Sequence, residues 1–192
     1  MILSDTDIRK SIADGSLTIT PFDERLVKRN SYLLRLHSQF RRISGDAIVD
    51  TADPVSLRAG AGAAFRSESV VVTPDALVLA CSRERIGLPA DTVGILSGIS
   101  NVARLGVMVH CTSQLVNAEF GDESPSRLVL EVSTVGGRSV RLYAGTPLCH
   151  LVLCKLVSPT APRESSRRTG QEGPDPSELL SQFGHFYAPT RL

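Results

Sequence analysis

The chain has 192 residues, 42% hydrophobic and 21% charged, which are the proportions of one ordinary globular domain able to bury a core. Its formal net charge is +1, with both signs spread along the chain, which argues against a polybasic surface for nucleic acid polymers or membranes. An anionic ligand must then be gripped by a local set of donors, not by a global field.

No apolar run is long enough to span a bilayer, and residues 1–10 lack the cationic and apolar regions of a signal peptide. A cytoplasmic protein is expected. Cys81, Cys111, Cys149 and Cys154 form no C-x-x-C pair and are expected as buried, reduced thiols. His110 and Cys111 are sequence neighbours, which on a strand face opposite ways and do not easily share one ion. The zinc-deaminase signature, the phosphate-binding Walker loop, the dinucleotide fingerprint and the G-x-S-x-G elbow are absent. Neither zinc nor any other metal site built by the protein is expected.

In chain order, Ser4 is placed to cap a helix through Ile8 and Ile12 to Gly15, with Asp5 and Asp7 near its positive end. After Leu17-Thr18-Ile19 and the break at Pro21, residues 31–40 alternate. Tyr32, Leu34 and Leu36 fall on one face and Arg35, His37 and Gln39 on the other, the pattern of a half-buried strand. Residues 59–64 are small and glycine-rich and read as a loop.

From Val70 the chain becomes a series of short β-rich runs: 70–72, 77–80, 93–96, 107–109, 127–132, 140–143 and 148–153. Turn residues such as Pro74-Asp75, Gly136-Gly137 and Ala144-Gly145 separate them. That spacing predicts a mainly-β sandwich, jelly roll or barrel. From Ser158 the composition shifts to Pro, Arg, Ser, Gly and Glu, which divides the chain into a 1–157 β domain and a 158–192 tail of loose order. A turn or two of helix is expected within 177–183.

Two stretches carry candidate chemistry. Ser100 and Arg104 are four apart in a short predicted helix, so one turn places a hydroxyl and a guanidinium on one face, and Gly106 suits the cap that ends it. Glu131 lies in the run 127–132, where Leu128, Leu130 and Val132 share a face and Glu131 sits on the other with Arg127 and Val129. Periodicity leaves two readings open for each stretch. Arg104 and Glu131 are either solvated surface charges or members of one polar site. In a pocket, partial desolvation would suit the carboxylate to moving protons.

The order and spacing of several motifs resemble the dCTP deaminase branch of the dUTPase superfamily over nearly the whole chain. These are Leu3-Ser4-Asp5 with Ile8, Gly15 to Ile19, Ser31 to Leu36, Leu88-Pro89-Ala90-Asp91, Ala103 to His110, and Glu131 in a V-L-E strand. The resemblance implies a distorted jelly-roll or β-barrel fold of the dUTPase type, with short helices at the N-terminus and before the central strands. It also implies a homotrimer with active sites between subunits, and hydrolysis of dCTP to dUTP and ammonia without zinc. Glu131 would be the general base and acid, with Arg104 and Ser100 orienting water and carboxylate. Nucleotide contacts would come from Asn101, Cys111, Ser113, Asn117, Phe120, Val129, Arg167 and Gln171. Mg2+ would accompany the triphosphate through phosphate oxygens and water.

The chain departs from the family pattern at several of these positions. Leu33 replaces an aspartate, Ile99 replaces a phosphate-binding arginine and Asn101 replaces a serine. Losing one charge-assisted contact costs roughly 1.5–3 kcal/mol of binding. Asn117 stands where the family has an aspartate, residues 121–126 carry a short insertion, and the tail segment before Gln171 carries no tyrosine. Phe120 reads either as a ring stacked on the sugar or as an ordinary core aromatic. Two alternatives therefore stand beside the deaminase: a non-catalytic or altered-substrate nucleotide binder, and a dUTP pyrophosphatase.

Overall fold

The structure is a computed structural model that describes residues 1–45, 48–109, 113–161 and 170–184. Its first helix, α1 (Asp5–Ala13), begins at a capping box: the Ser4 hydroxyl accepts from the Asp7 amide, and the Asp7 carboxylate accepts from the Ser4 amide. Ile8 is its buried residue, so the helix docks on the domain through a single apolar stripe.

The strands follow as β1 (Thr18–Thr20), β2 (Val27–Lys28), β3 (Ser31–Ile43), β4 (Phe65–Arg66), β5 (Ser69–Val72), β6 (Leu77–Gly87) and β7 (Thr92–Gly98). Helix α2 (Ser100–Ala103) leads into β8 (Val107–Met108), β9 (Leu115–Val116), β10 (Ser126–Thr134), β11 (Val140–Tyr143) and β12 (Pro147–Lys155), and α3 (Leu179–Phe183) closes the described chain. The expected short runs are all present. Strands β2, β4 and β9, of two residues each, are too short to leave a periodic signal.

One antiparallel sheet runs β8-β10-β6-β3-β12-β7-β9, with β1 on β6 and β2 and β4 on β3; β11 and β5 form a separate pair. The fold is mainly β, a sheet curled into a half-barrel around one core. Alternation does the work: Tyr32, Leu34 and Leu36 of β3 are buried, as are Leu128, Leu130 and Val132 of β10 and Leu151 and Leu153 of β12. Each buried leucine contributes about 1.5–3 kcal/mol of transfer free energy.

Strand β6 extends past the expected 77–80 through Ser82-Arg83-Glu84-Arg85, a charged stretch that periodicity rejects. Glu84 is fully buried there because Arg35 answers it twice, by its amide at 2.9 Å and its Nε at 2.6 Å. The pairing register also shifts between Arg127 and Val129 on β10. The Ser82 hydroxyl fills the gap, accepting from the Leu128 amide at 2.9 Å and donating to the Glu84 carbonyl at 2.6 Å. Among the described residues no helix is long and apolar enough to cross a membrane.

Candidate active site

Because Leu128, Leu130 and Val132 are committed to the core, Val129 and Glu131 turn to the opposite face of β10, and both are half-buried. That face is the floor of a cleft of about 1060 Å³. Ser113, Asn117, Phe120, Val129, Glu131 and Gln171 all line it, so six of the eleven residues singled out in the sequence share one cavity. Glu131 is thus not a carboxylate on an open outer surface.

The loop between β9 and β10 forms one wall. It is pinned by the Leu88 amide donating to the Phe120 carbonyl at 2.9 Å. Gly121 follows with φ +64°, and a side chain there would run into the Ile86 carbonyl. This close approach turns the chain so that Phe120 packs half-buried against the core while Asn117 stays exposed at the rim. Glu119, between them, also has φ +64°, the left-handed region that favours glycine, and its Oε2 accepts from the Thr160 hydroxyl at 3.0 Å.

The C-terminal segment also lines the cleft, through Gln171 and residues 175–179. Its composition suggested loose order, but its described part is docked. The Gly170 amide donates to the Ser126 hydroxyl, the Arg127 amide to the Gln171 carbonyl and the Arg41 Nε to the Pro174 carbonyl, each at 2.8 Å. Glu172 then receives both Nε and Nη2 of Arg85 at 2.7 Å and lies 3.4 Å from Arg127 Nε. Sequence reasoning did not pair Arg85 or Arg127 with Glu172, because nothing local marks residues this far apart along the chain as partners. Arg85 holds the Glu172 carboxyl below the ordinary carboxylate range, with Arg127 adding to the effect.

Ser100, Asn101 and Arg104 fall outside this cleft. They are exposed on and beside α2, and Arg104 Nη1 donates to Asn101 Oδ1 at 3.4 Å. A single chain therefore does not bring the guanidinium to Glu131 in one cavity. Gly106, with φ +83°, ends this turn as expected: a Cβ would stand 2.6 Å from the Val135 carbonyl oxygen. Cys111 and Arg167 lie outside the described residues. The three described cysteines, Cys81, Cys149 and Cys154, are free thiols. Among the described residues, no three His, Cys, Asp or Glu side chains converge as a ligand set for a metal.

A curled antiparallel sheet with a half-buried carboxylate lining a cleft of about 1060 Å³ defines a class of protein, and comparison with known proteins identifies the class. A family profile described as dCTP deaminase-like matches residues 2–156, so the chain belongs to the dCTP deaminase-like family of hydrolases. It is 33% identical over 194 residues to a dCTP deaminase, dUMP-forming, of Acidothermus cellulolyticus, with 95% of this chain and 97% of that one covered. It is 32% identical over 190 residues to the protein of the same description in Mycobacterium ulcerans, covering 95% and 98%. Among solved structures it resembles the 2'-deoxycytidine 5'-triphosphate deaminase of Agrobacterium tumefaciens, with a TM-score of 0.61 and 20% identity over 79% of this chain. The chain spans 47% of that protein's length, and the likeness establishes the fold.

Proposed function

We propose that this chain hydrolytically deaminates the cytosine ring of a deoxycytidine nucleotide, replacing the C4 amino group by a carbonyl and releasing ammonia. The observation that carries the reading is Glu131: half-buried, and lining the same cleft as Asn117 and Phe120. Glu131 takes a proton from the water that attacks C4, then returns protons to the ring nitrogen and the departing amine. Asn117 hydrogen-bonds the sugar 3'-hydroxyl and Phe120 stacks on the sugar. Ser113 and Val129 border the base, while Gln171 brings the tail across the bound nucleotide.

On dCTP the product is dUTP. The curated relatives named above are dUMP-forming, but Asn117 carries a carboxamide where the pyrophosphatase reaction needs a base at the α-phosphate. Mg2+ enters with a phosphorylated substrate. The cleft offers hard oxygen donors in Glu119, Asp122 and Glu123, but no three described ligands converge, so the ion is held chiefly by phosphate oxygens and water.

The site is completed by a neighbouring copy in a homotrimer, which supplies Ser100 and Arg104 to orient water and carboxylate. Two features support this. The polar residues of α2 do not line their own cleft, and Leu105, Met108, Ile95 and Leu115 leave apolar surface exposed nearby in the chain. Free thiols and a nucleotide substrate fit the cytoplasm.

Incubation with dCTP, dCMP and dUTP, following ammonia and pyrophosphate separately, tests the reading. Ammonia without stoichiometric pyrophosphate is expected from dCTP. Pyrophosphate from dUTP would reinstate the pyrophosphatase, and binding without turnover would make the chain a non-catalytic relative. Mixing inactive Glu131→Gln and Arg104→Ala chains should restore activity, since hybrid trimers contain some intact sites; no recovery would refute the shared site.

A further inference from the structure

A second cavity, of about 480 Å³, is lined by Lys28, Arg29, Asn30, Ser31, Ser97 and His150 and shares no lining residue with the cleft of Glu131. Strand register assembles it. His150 on β12 is the cross-strand partner of Ser97 on β7 and of Leu33 on β3, and Ser31 stands two residues before Leu33. These four therefore share the sheet face opposite the core residues Tyr32, Leu34 and Leu151. Ser31 is buried, and its Oγ is hydrogen-bonded to His150 Nδ1 at 2.9 Å, which orients the imidazole and leaves Nε2 for a ligand. The end of β2 brings up Lys28 and Arg29, both exposed. Lys28 Nζ spends one donor on the Arg25 carbonyl at 3.2 Å and keeps the others.

Two fixed cations, a held imidazole and two hydroxyls are the donor set of an oxyanion site. Among the described residues no acidic side chain lines it. Leu33, beside His150, also stands where an aspartate is the rule in the family pattern, so the carboxylate that would repel an anion is gone. Burial and the Lys28 charge hold the His150 imidazole below its ordinary range, and a bound anion pulls it back up.

Resting on the deaminase reading, we infer that this pocket grips the outer phosphates of the deoxycytidine nucleotide, with His150 as a contact whose charge follows pH. Ser97 lies three residues before Ser100, so the pocket belongs to the segment offered to the neighbouring copy's cleft. Lys28, Arg29 and His150 supply the charge that Ile99 does not. They are specificity-determining residues for the phosphate chain and leave the cytosine chemistry to Glu131.

Calorimetry with inorganic triphosphate and the full-length chain tests the pocket, and dCTP kinetics test its link to the substrate. The double variant Lys28→Met/Arg29→Met, at two exposed positions, should bind triphosphate about tenfold more weakly or worse. From about pH 8 to about pH 6, binding should tighten several-fold more in the parent than in His150→Gln, the difference isolating the ring from titration of triphosphate itself. Inorganic triphosphate should compete with dCTP, and the double variant should raise KM for dCTP more than it lowers kcat. Triphosphate binding indifferent to Lys28 and Arg29, or parallel pH profiles, overturns the inference. Binding in the pocket without competition makes it a site for free phosphate and overturns the link to the substrate.

Should dCTP release no ammonia, the deaminase reading fails by itself. Displacement of inorganic triphosphate by dCTP in the calorimeter then replaces the kinetics: displacement supports the phosphate grip, and simultaneous binding refutes it.

Discussion

Glu172 and Arg85 face each other as a two-point ion pair, carboxylate against guanidinium with both contacts at 2.7 Å, and this pair fastens the C-terminal segment to the central strand β6. Both partners are substantially exposed, so the pair itself contributes at most about 1 kcal/mol to global stability. Its consequence is local. The same segment carries Gln171 and residues 175–179 along the cleft wall, so fastening Glu172 sets the shape of the cavity.

Replacing Glu172 by glutamine should therefore loosen the segment without unfolding the domain. Amide exchange across 170–184 is expected to quicken, with the melting temperature nearly unchanged. Unaltered exchange there would show that the pair does not hold the tail.

Acid should act on the same region through His37. Burial, reinforced by the charges of Arg127, Arg66 and Arg85, lowers its pKa to about 4 from an ordinary 6.5, and its buried Nδ1 has no hydrogen-bond partner among the described residues. The folded state keeps this imidazole neutral, so the unfolded chain takes up the proton first as pH falls below 6.5. Stability from this group is complete above that value and drains as pH falls towards 4. Melting curves in that window should show a His37→Gln variant losing less stability than the parent. Parallel curves would sink the assignment.

The buried pair of Arg35 with Glu84 predicts a large structural effect. Glu84 is wholly buried, and Arg35→Met leaves its carboxylate without a cation, at a cost of about 3–5 kcal/mol. Urea unfolding measures this directly, and a loss below about 1 kcal/mol would contradict the pairing.

For the proposed chemistry, in which the Glu131 carboxylate would move protons, Glu131→Gln should abolish ammonia release while changing nucleotide affinity only a few-fold. Near-normal turnover would refute its role.

Ile99→Arg should tighten triphosphate binding more than monophosphate binding, because a restored guanidinium acts on phosphate and not on the ring. Equal effects on the two ligands would remove residue 99 from the phosphate site.

Several elements were legible before any coordinates. The Ser4 cap, the β3 alternation and the β10 alternation that turns Glu131 away from the core are local patterns, and backbone geometry enforces them within a few residues. The extension of β6 through Arg83, Glu84 and Arg85 was not legible, because a buried acid is tolerable only with Arg35 delivered from another strand. Nor was the docked tail: Pro, Ser, Gly and Glu look like a solvated linker until Arg41, Arg85 and Arg127 are brought against it.

Sequence by itself determined the strand periods, the helix cap and the motif order that places the chain in its family, because each depends on neighbours along the backbone. Only the tertiary structure decided that Glu131 opens onto a cavity, that acids alone among charged groups line its described walls, and that the Ser100–Arg104 turn stands outside it. Those outcomes depend on sheet register and on which distant side chains neutralise one another, and short-range pattern encodes neither.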